Sequence, residues 1–252
     1  RIAMNLQGKE IYTGQKIEQL RQIFGEPDRI EMGIYGLQWY IYHKDYSCFL
    51  MAAVSDGVVC GYYTNSAGFE IDGRAKADTC CGDWDPDIKL YRDKLDGDKV
   101  YAVFVVWEES KQSIDTTERE FLGIQARENF DVTNTFRVKK GRNPLLWDEI
   151  AAEAARLHAI DMGKKDYFSH ISLDGRTPID RYLRLCPVAW RAWGENISAG
   201  REFGIDHFDA WLNSEGHREN LLSDKFKYLG VGAAYCEEST YRYYFGQTFI
   251  TY

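Results

Sequence analysis

Apolar positions change their period near the middle of the chain, from mostly alternating to mostly helical. Over residues 15–24, Ile17, Leu20, Ile23 and Phe24 recur at three- and four-residue spacing, which predicts an amphipathic helix ended by Gly25 and Pro27. The stretches Leu37–Tyr42 and Ser47–Tyr63 are rich in aromatic and branched residues and predict strands, with Asp56-Gly57 as a two-residue hairpin turn. A second Asp-Gly pair, Asp96-Gly97, precedes Lys99–Val106, a run suited to a buried strand. The order strand, Asp-Gly, strand thus occurs twice, around 48–63 and 88–106, as in a degenerate internal duplication. Residues 107–117 are polar and aperiodic and read as a domain boundary.

Beyond that boundary the pattern is helical. Glu118–Lys140 predicts a helix halted by Gly141 and Pro144. Trp147–Met162 is alanine-rich, with Ile150, Ala154 and Leu157 as its buried stripe and Gly163 closing it. Thr177 caps and Pro178 opens a short helix through Leu185, and Ile205–Asn213 carries Phe208 and Trp211 in another. Two strands, Tyr228–Tyr235 and Tyr241–Ile250, form a terminal hairpin through residues 236–240. The fold class expected is α+β in two domains, 1–115 and 116–252.

Charge narrows the functional classes. The formal net charge is -8, and the excess is uneven: residues 1–116 hold 13 Lys/Arg against 19 Asp/Glu. Nucleic-acid binding and adsorption to anionic lipid both need a cationic excess that this chain lacks. No run of apolar residues is long enough to span a membrane. Because the chain starts at Arg1, the expectation is a mature fragment whose targeting segment is absent.

The cysteines, Cys48, Cys60, Cys80, Cys81, Cys186 and Cys236, show no CxxC and no zinc-finger spacing with histidine. Most of them read as small buried hydrophobes. The Asp56-Gly57 hairpin sets residue 60 opposite residue 53 and turns residue 48 to the other face, so Cys48 and Cys60 are expected to stay reduced. Asp83-Trp-Asp-Pro-Asp87 lacks the glycine and distal glutamate of a calcium loop and reads as a solvated acidic loop.

Candidate chemistry gathers in three fragments: Asp166-Tyr-Phe-Ser-His170, Gly194-Glu-Asn-Ile197 and Trp211-Leu-Asn-Ser-Glu-Gly-His-Arg218. His170, Glu195 and His217 can each ligate a metal or move a proton. Converged, two imidazoles and one carboxylate match a three-ligand zinc site with an open position, or an acid–base set in which Glu195 orients an imidazole. A buried hydrogen-bond network tying loops together uses the same residues. The other histidines, His43, His158 and His207, lie in predicted strand or helix and read as structural. No Gly-x-Ser-x-Gly elbow, Walker loop or dinucleotide fingerprint is present. Ser169, Ser198 and Ser214 lie near the trio but equally suit turns and caps.

In order, these fragments resemble the CAP superfamily in its bacterial SCP-like form. The resemblance runs from Asn134–Asp148 through Ala154–Met162, Asp166–His170 and Asp174–Pro178. It continues through Gly194–Ile197, Trp211–Arg218, Asn220–Leu222, Gly230-Val-Gly232 and Gln247–Phe249. It implies a C-terminal α-β-α sandwich with a cleft, and a divalent metal such as zinc held by His170, Glu195 and His217. The fourth, acidic member of the family's tetrad falls on Ser214, with Glu215 adjacent. Gly14–Ser66 resembles the CAP-associated N-terminal domain of some Firmicute proteins, through Phe24-Gly-Glu-Pro27, Asp56-Gly57 and Tyr63-Thr-Asn65. Together these imply a secreted or cell-surface protein that binds a protein, peptide or cell-envelope ligand, or a divalent metal, through a His/Glu cleft. The alternative is a metal-assisted hydrolase acting on peptide or envelope polymer.

Overall fold

The computed structural model describes residues 1–80 and 86–252, so Cys81 and Asp83–Asp85 of the acidic loop lie outside the described residues. The chain divides into two compact units, Arg1–Ile114 and Asp115–Tyr252.

The first unit opens with two short strands that the sequence pattern did not signal, β1 (Ala3–Leu6) and β2 (Lys9–Tyr12). Then follow α1 (Ile17–Phe24), β3 (Arg29–Met32), β4 (Gln38–Tyr42), β5 (Leu50–Ser55) and β6 (Val58–Thr64). The remaining strands are β7 (Phe69–Ile71), β8 (Ala75–Lys76), β9 (Ile88–Asp93) and β10 (Lys99–Val106). They form two sheets, β2-β1-β7-β8 and β3-β4-β5-β6-β10-β9, which share one core with Leu20 of α1. The predicted helix forms, but Ile23 of its stripe is exposed and only Leu20 is fully buried.

Both Asp-Gly hairpins form and lie side by side in the larger sheet. Their turns differ. Asp56 and Gly57 both take positive φ, as a two-residue mirror-image turn requires, whereas in the second hairpin Gly97 and Asp98 do so. The register after the first turn also departs from expectation. Ser55 pairs Val58 and Val54 pairs Val59, but Ala53 pairs Gly61, leaving Cys60 as a bulge. The bulge fits the close approach of β10, since a Cβ on Gly61 would lie 2.4 Å from the Val105 carbonyl oxygen. Cys48 sits outside the ladder in a single 3₁₀ turn, and the described cysteines are all free.

The second unit is a three-layer sandwich. Its elements are α2 (Arg119–Lys139), β11 (Leu146–Trp147), α3 (Glu149–Lys165), α4 (Pro178–Leu185) and β12 (Ala192–Ala199). After these come α5 (Gly204–Leu212), α6 (Glu215–Leu222), β13 (Tyr228–Tyr235) and β14 (Tyr243–Thr251). The sheet order is β11-β13-β14-β12, so β12, flagged in sequence only by its Gly-Glu-Asn, is an edge strand pairing with β14. Neighbouring residues of β14 show the layering. Gly246 faces Ala155 of α3, while the Gln247 side chain bonds Asn129 and Thr133 of α2.

The approach of α3 to β13 explains two differences from the sequence reading. A Cβ on Gly230 would lie 1.9 Å from the Ala152 nitrogen, and one on Gly232 would lie 2.2 Å from the Arg156 nitrogen. Backbone rests on backbone there, so the buried stripe of α3 is Ala151, Ala154, Ala155, His158, Ala159 and Met162, and Leu157 is 41% exposed. Gly163 does not end the helix. It packs against Cys236 and Tyr244, α3 runs on to Lys165, and Asp166 in the left-handed region ends it. The Thr177-Pro178 start forms a full capping box with Asp180.

His207 on α5 is fully buried, stacked on Phe245 at 3.9 Å between ring centroids. Its Nε2–H donates to the Arg201 carbonyl at 2.8 Å, and its Nδ1 accepts the Ser198 hydroxyl. Burial pushes its pKa down from 6.5 to about 3.

Two predictions follow from this packing. Gly232→Ala should cost ~3 kcal/mol, because the new methyl meets backbone that cannot yield. Gly123→Ala in α2, with open space around it, should be neutral or gain up to about 1 kcal/mol; urea unfolding of both variants checks the contrast. The second concerns acid. The unfolded chain protonates an imidazole near pH 6.5 and the folded chain protonates His207 only near 3, so stability present above 6.5 is lost as pH falls through that window. From pH 7 to pH 5 this one group should remove ~2 kcal/mol. An unchanged urea midpoint between those values would contradict it.

Candidate functional site

The cleft straddles the outer edge of β12. Alternation along this strand puts Trp193, Glu195 and Ile197 toward α3 and α4, and Gly194, Asn196 and Ser198 toward α2, α5 and α6. Gly194 is required by close approach rather than by an unusual φ, since a Cβ there would lie 2.7 Å from the Phe226 ring. That contact seats the α6–β13 connection against the strand.

Glu195 is buried, and both its oxygens are engaged. Oε1 is 2.7 Å from Nδ1 of His170, and Oε2 accepts from Nη2 of Arg181 at 2.6 Å. A carboxylate held by a guanidinium accepts, so Nδ1 of His170 carries a proton toward it, and Nε2 is the ring nitrogen that no described residue engages. The His170 side chain is 52% exposed.

Arg181 also fixes the loop that carries His170. Its Nη1 donates to the His170 carbonyl at 2.9 Å, to Ser172 Oγ at 3.0 Å and to the Arg176 carbonyl at 3.1 Å. His158 helps from below, donating Nε2–H to the Ser169 carbonyl at 2.8 Å. Burial and the Arg181 charge lower the His158 pKa and keep it neutral.

His217 enters from α6 on the other side of the edge. Its Nδ1 is 2.8 Å from Ser214 Oγ, and its backbone carbonyl accepts from Asn196 Nδ2 at 3.1 Å. Burial and then the nearby His170 lower its pKa, so the ring is neutral at neutral pH. Asn196 continues a buried ladder: it donates to Gln247 Oε1 at 3.0 Å, and Gln247 Nε2 donates to Asn129 and Thr133 at 2.9 Å each. Asn220 caps the edge by donating to the Glu195 carbonyl at 3.1 Å. The His217 backbone is thereby fastened to the centre of the sandwich.

The cleft therefore unites His170, Glu195, His217 and Ser214. Glu215 stays out, exposed on the first turn of α6 with no hydrogen bond or ion pair to the cleft. Of the nearby serines, Ser198 serves buried His207, and Ser169 Oγ accepts from the Ile171 amide. Ser214 meets an imidazole, but no acid orients the other nitrogen of that ring, as a nucleophile–base pair would require. The residues that sequence reasoning missed are Arg181, Asn196, Asn220 and Gln247. Arg181 was detectable in principle, because it falls between Ile179 and Tyr182 on the buried face of a capped helix.

A divalent metal on His170, Glu195 and His217 is what the resemblance implies, and the donor set does not fit a three-ligand centre. Glu195 has both oxygens committed, one of them to a guanidinium whose positive charge would oppose a cation. Among the described residues no group of three or more His, Cys, Asp or Glu is disposed to hold a metal ion. Glu195 supports His170 from behind instead.

Comparison with known proteins agrees with this architecture. Residues 130–249 match the family model for the cysteine-rich secretory protein family, CAP, and residues 13–79 match the CAP-associated N-terminal model. An uncharacterized membrane protein of Bacillus subtilis, YlbC, is 27% identical, with 99% of this chain and 85% of that protein covered. The uncharacterized protein YkwD of the same organism is 38% identical over 102 residues, 40% of this chain and 39% of its own length. A crystal structure of an extracellular protein containing a SCP domain from Bacillus anthracis superposes with TM-score 0.79 at 26% identity, covering 95% of this chain and 93% of that one. A cysteine-rich secretory protein from Staphylococcus aureus shares the fold at TM-score 0.65, 19% identity and the same coverage. With its three-layer sandwich, its cleft at the edge of β12 and these matches, the second unit is a domain of the cysteine-rich secretory protein (CAP) family over residues 130–249, and the first unit carries a CAP-associated N-terminal segment over residues 13–79.

Proposed function

We propose that this protein works outside the cytoplasm or at the cell surface as a binding protein, whose CAP cleft captures a peptide or cell-envelope fragment without turning it over. The observation that carries this reading is the His170–Glu195–Arg181 chain. It holds one imidazole rigidly through Nδ1 with Nε2 unengaged, beside the imidazole of His217, which burial keeps neutral. Ring nitrogens held this way hydrogen-bond polar groups on a ligand. Hydrolysis would need an oriented nucleophile, and the cleft serines are committed elsewhere or lack an oriented base. The location outside the cytoplasm rests on the SCP-domain relative described as extracellular. Among the described residues no helix is long and apolar enough to cross a membrane.

The test is a titration of the full chain with muramyl peptides released from digested bacterial cell wall, read on the histidine ring NMR signals. The signals of His170 and His217 should move while that of buried His207 stays still, and His170→Ala should weaken binding at least about tenfold, the loss of one charge-assisted or well-placed hydrogen bond. New amino or reducing ends released in the same sample would replace the binding reading with hydrolysis. Zinc binding lost in both His170→Ala and His217→Ala would replace it with a metal centre.

A separate prediction concerns the support of the site. Glu195→Gln leaves the Arg181 guanidinium buried without a counter-charge and should destabilise the fold by ~3 kcal/mol. His170→Ala, at a half-exposed ring, should cost less than about 1 kcal/mol. Equal urea midpoints for the two variants would contradict the assignment of Glu195 as the structural member.

A further inference from the structure

We propose that the free edge of β13, on the side of the sheet opposite the cleft, is a second binding site that takes a short extended peptide with small side chains as an added strand. The sheet order β11-β13-β14-β12 puts β12 and the cleft at one edge. At the other edge β11 is only two residues long, and it pairs with Tyr228 and Leu229 alone. Beyond Leu229, β13 has no strand beside it on that side among the described residues.

The ladder defines which groups are left open. Cys236 N–H donates to the Arg242 carbonyl at 2.8 Å, in step with the β13–β14 register, so even-numbered residues of β13 turn their backbone groups toward β14. Odd-numbered residues turn theirs away, and Asp148 N–H accordingly donates to the Leu229 carbonyl at 3.1 Å. Past that point the outward groups are those of Val231 and Ala233. Neither residue has a hydrogen-bond partner on that side among the described residues. Both line a cavity of about 210 Å³ that has room for solvent. Its walls are α2, through Gly123 and Ala126, and α3, through Ala152.

Each feature narrows the occupant. Outward N–H and C=O groups repeating at every second residue match the backbone of an extended peptide, as in strand addition, and offer nothing to an alkyl chain. An added strand continues the line of β11 beyond Trp147. The walls are glycine and alanine, and no atom lies within 4 Å of a Cβ built on Gly123, so small side chains fit between the helices. The volume falls below the about 300–1,000 Å³ of drug-sized pockets, which limits the guest to a short segment. Charge is balanced on the walls, Arg119 and Arg156 against Glu149 and Glu153, with Arg156 paired to Glu153 at 2.8 Å. A neutral peptide is therefore accepted. A second copy of this domain is excluded, because its own β13 edge is recessed between its own α2 and α3.

The experiment is a backbone amide NMR titration of the full chain with N-acetyl-trialanine amide. Saturable shifts are expected at the amides of Val231, Ala233 and Gly123, with a dissociation constant on the order of 1 mM for a ligand this small. The same peptide N-methylated at each alanine cannot donate to the ladder and should bind at least about tenfold more weakly. Gly123→Leu, which places a side chain in the open space of the slot, should weaken binding by a similar factor. Gly123 is exposed on α2 and leucine is the better helix former, so this variant keeps its fold, as an unchanged or raised urea midpoint shows. His170→Ala should bind the peptide as the parent does, which separates this site from the cleft. Equal binding of the N-methylated peptide, shifts absent from Val231 and Ala233, parent-like binding by Gly123→Leu, or no saturation by ~10 mM, ten times the expected constant, would each overturn the proposal.

Discussion

The wall of the cleft that presents His170 hangs on one buried carboxylate. Glu195 holds a guanidinium with one oxygen and an imidazole with the other, and through Arg181 it reaches the loop 170–176 and helix α4. A buried ion pair of this kind is costly to desolvate and adds little net stability. Its value is positional. The pair determines where His170 stands and which of its nitrogens faces outward, and it removes Glu195 from the set of groups free to touch a ligand or a metal.

The opposite wall of the cleft is positioned by neutral polar groups. Asn196 and Gln247 carry a ladder from α2 through the sheet to the His217 backbone, every rung satisfied inside the core. Such a ladder rigidifies because breaking any rung leaves a buried amide unpaired. One face of β12 is thus held by charge and the other by amides, and the two histidines project past an edge that neither layer covers completely. The close seating of α3 on Gly230 and Gly232 brings His158 within reach of the Ser169 carbonyl and gives the slot at the β13 edge one of its walls.

Much of the fold was legible in the chain. Helical spacing located α2 and α3, Thr177-Pro178 marked the start of α4, and Asp56-Gly57 marked a hairpin, since each signal is a local steric or capping preference. The misses share a cause. Gly163 looks like a helix stop but is a contact point with Cys236, Leu157 looks like core but is exposed, and Cys60 bulges where β10 comes close. None of these is decided by neighbours in sequence.

The sequence by itself determined the period of its elements, the family to which the ordered motifs belong, and the residue types of the cleft: His170, Glu195, His217 and Ser214. Only the tertiary structure decided their roles. Whether Glu195 ligates, catalyses or supports depends on what its two oxygens meet, and those partners arrive from α4 and from a loop 14 and 25 residues away along the chain. A buried carboxylate with one oxygen held by an arginine and the other by a histidine is fixed as the support of both. That arrangement is a property of three-dimensional contact, and no spacing of letters encodes it.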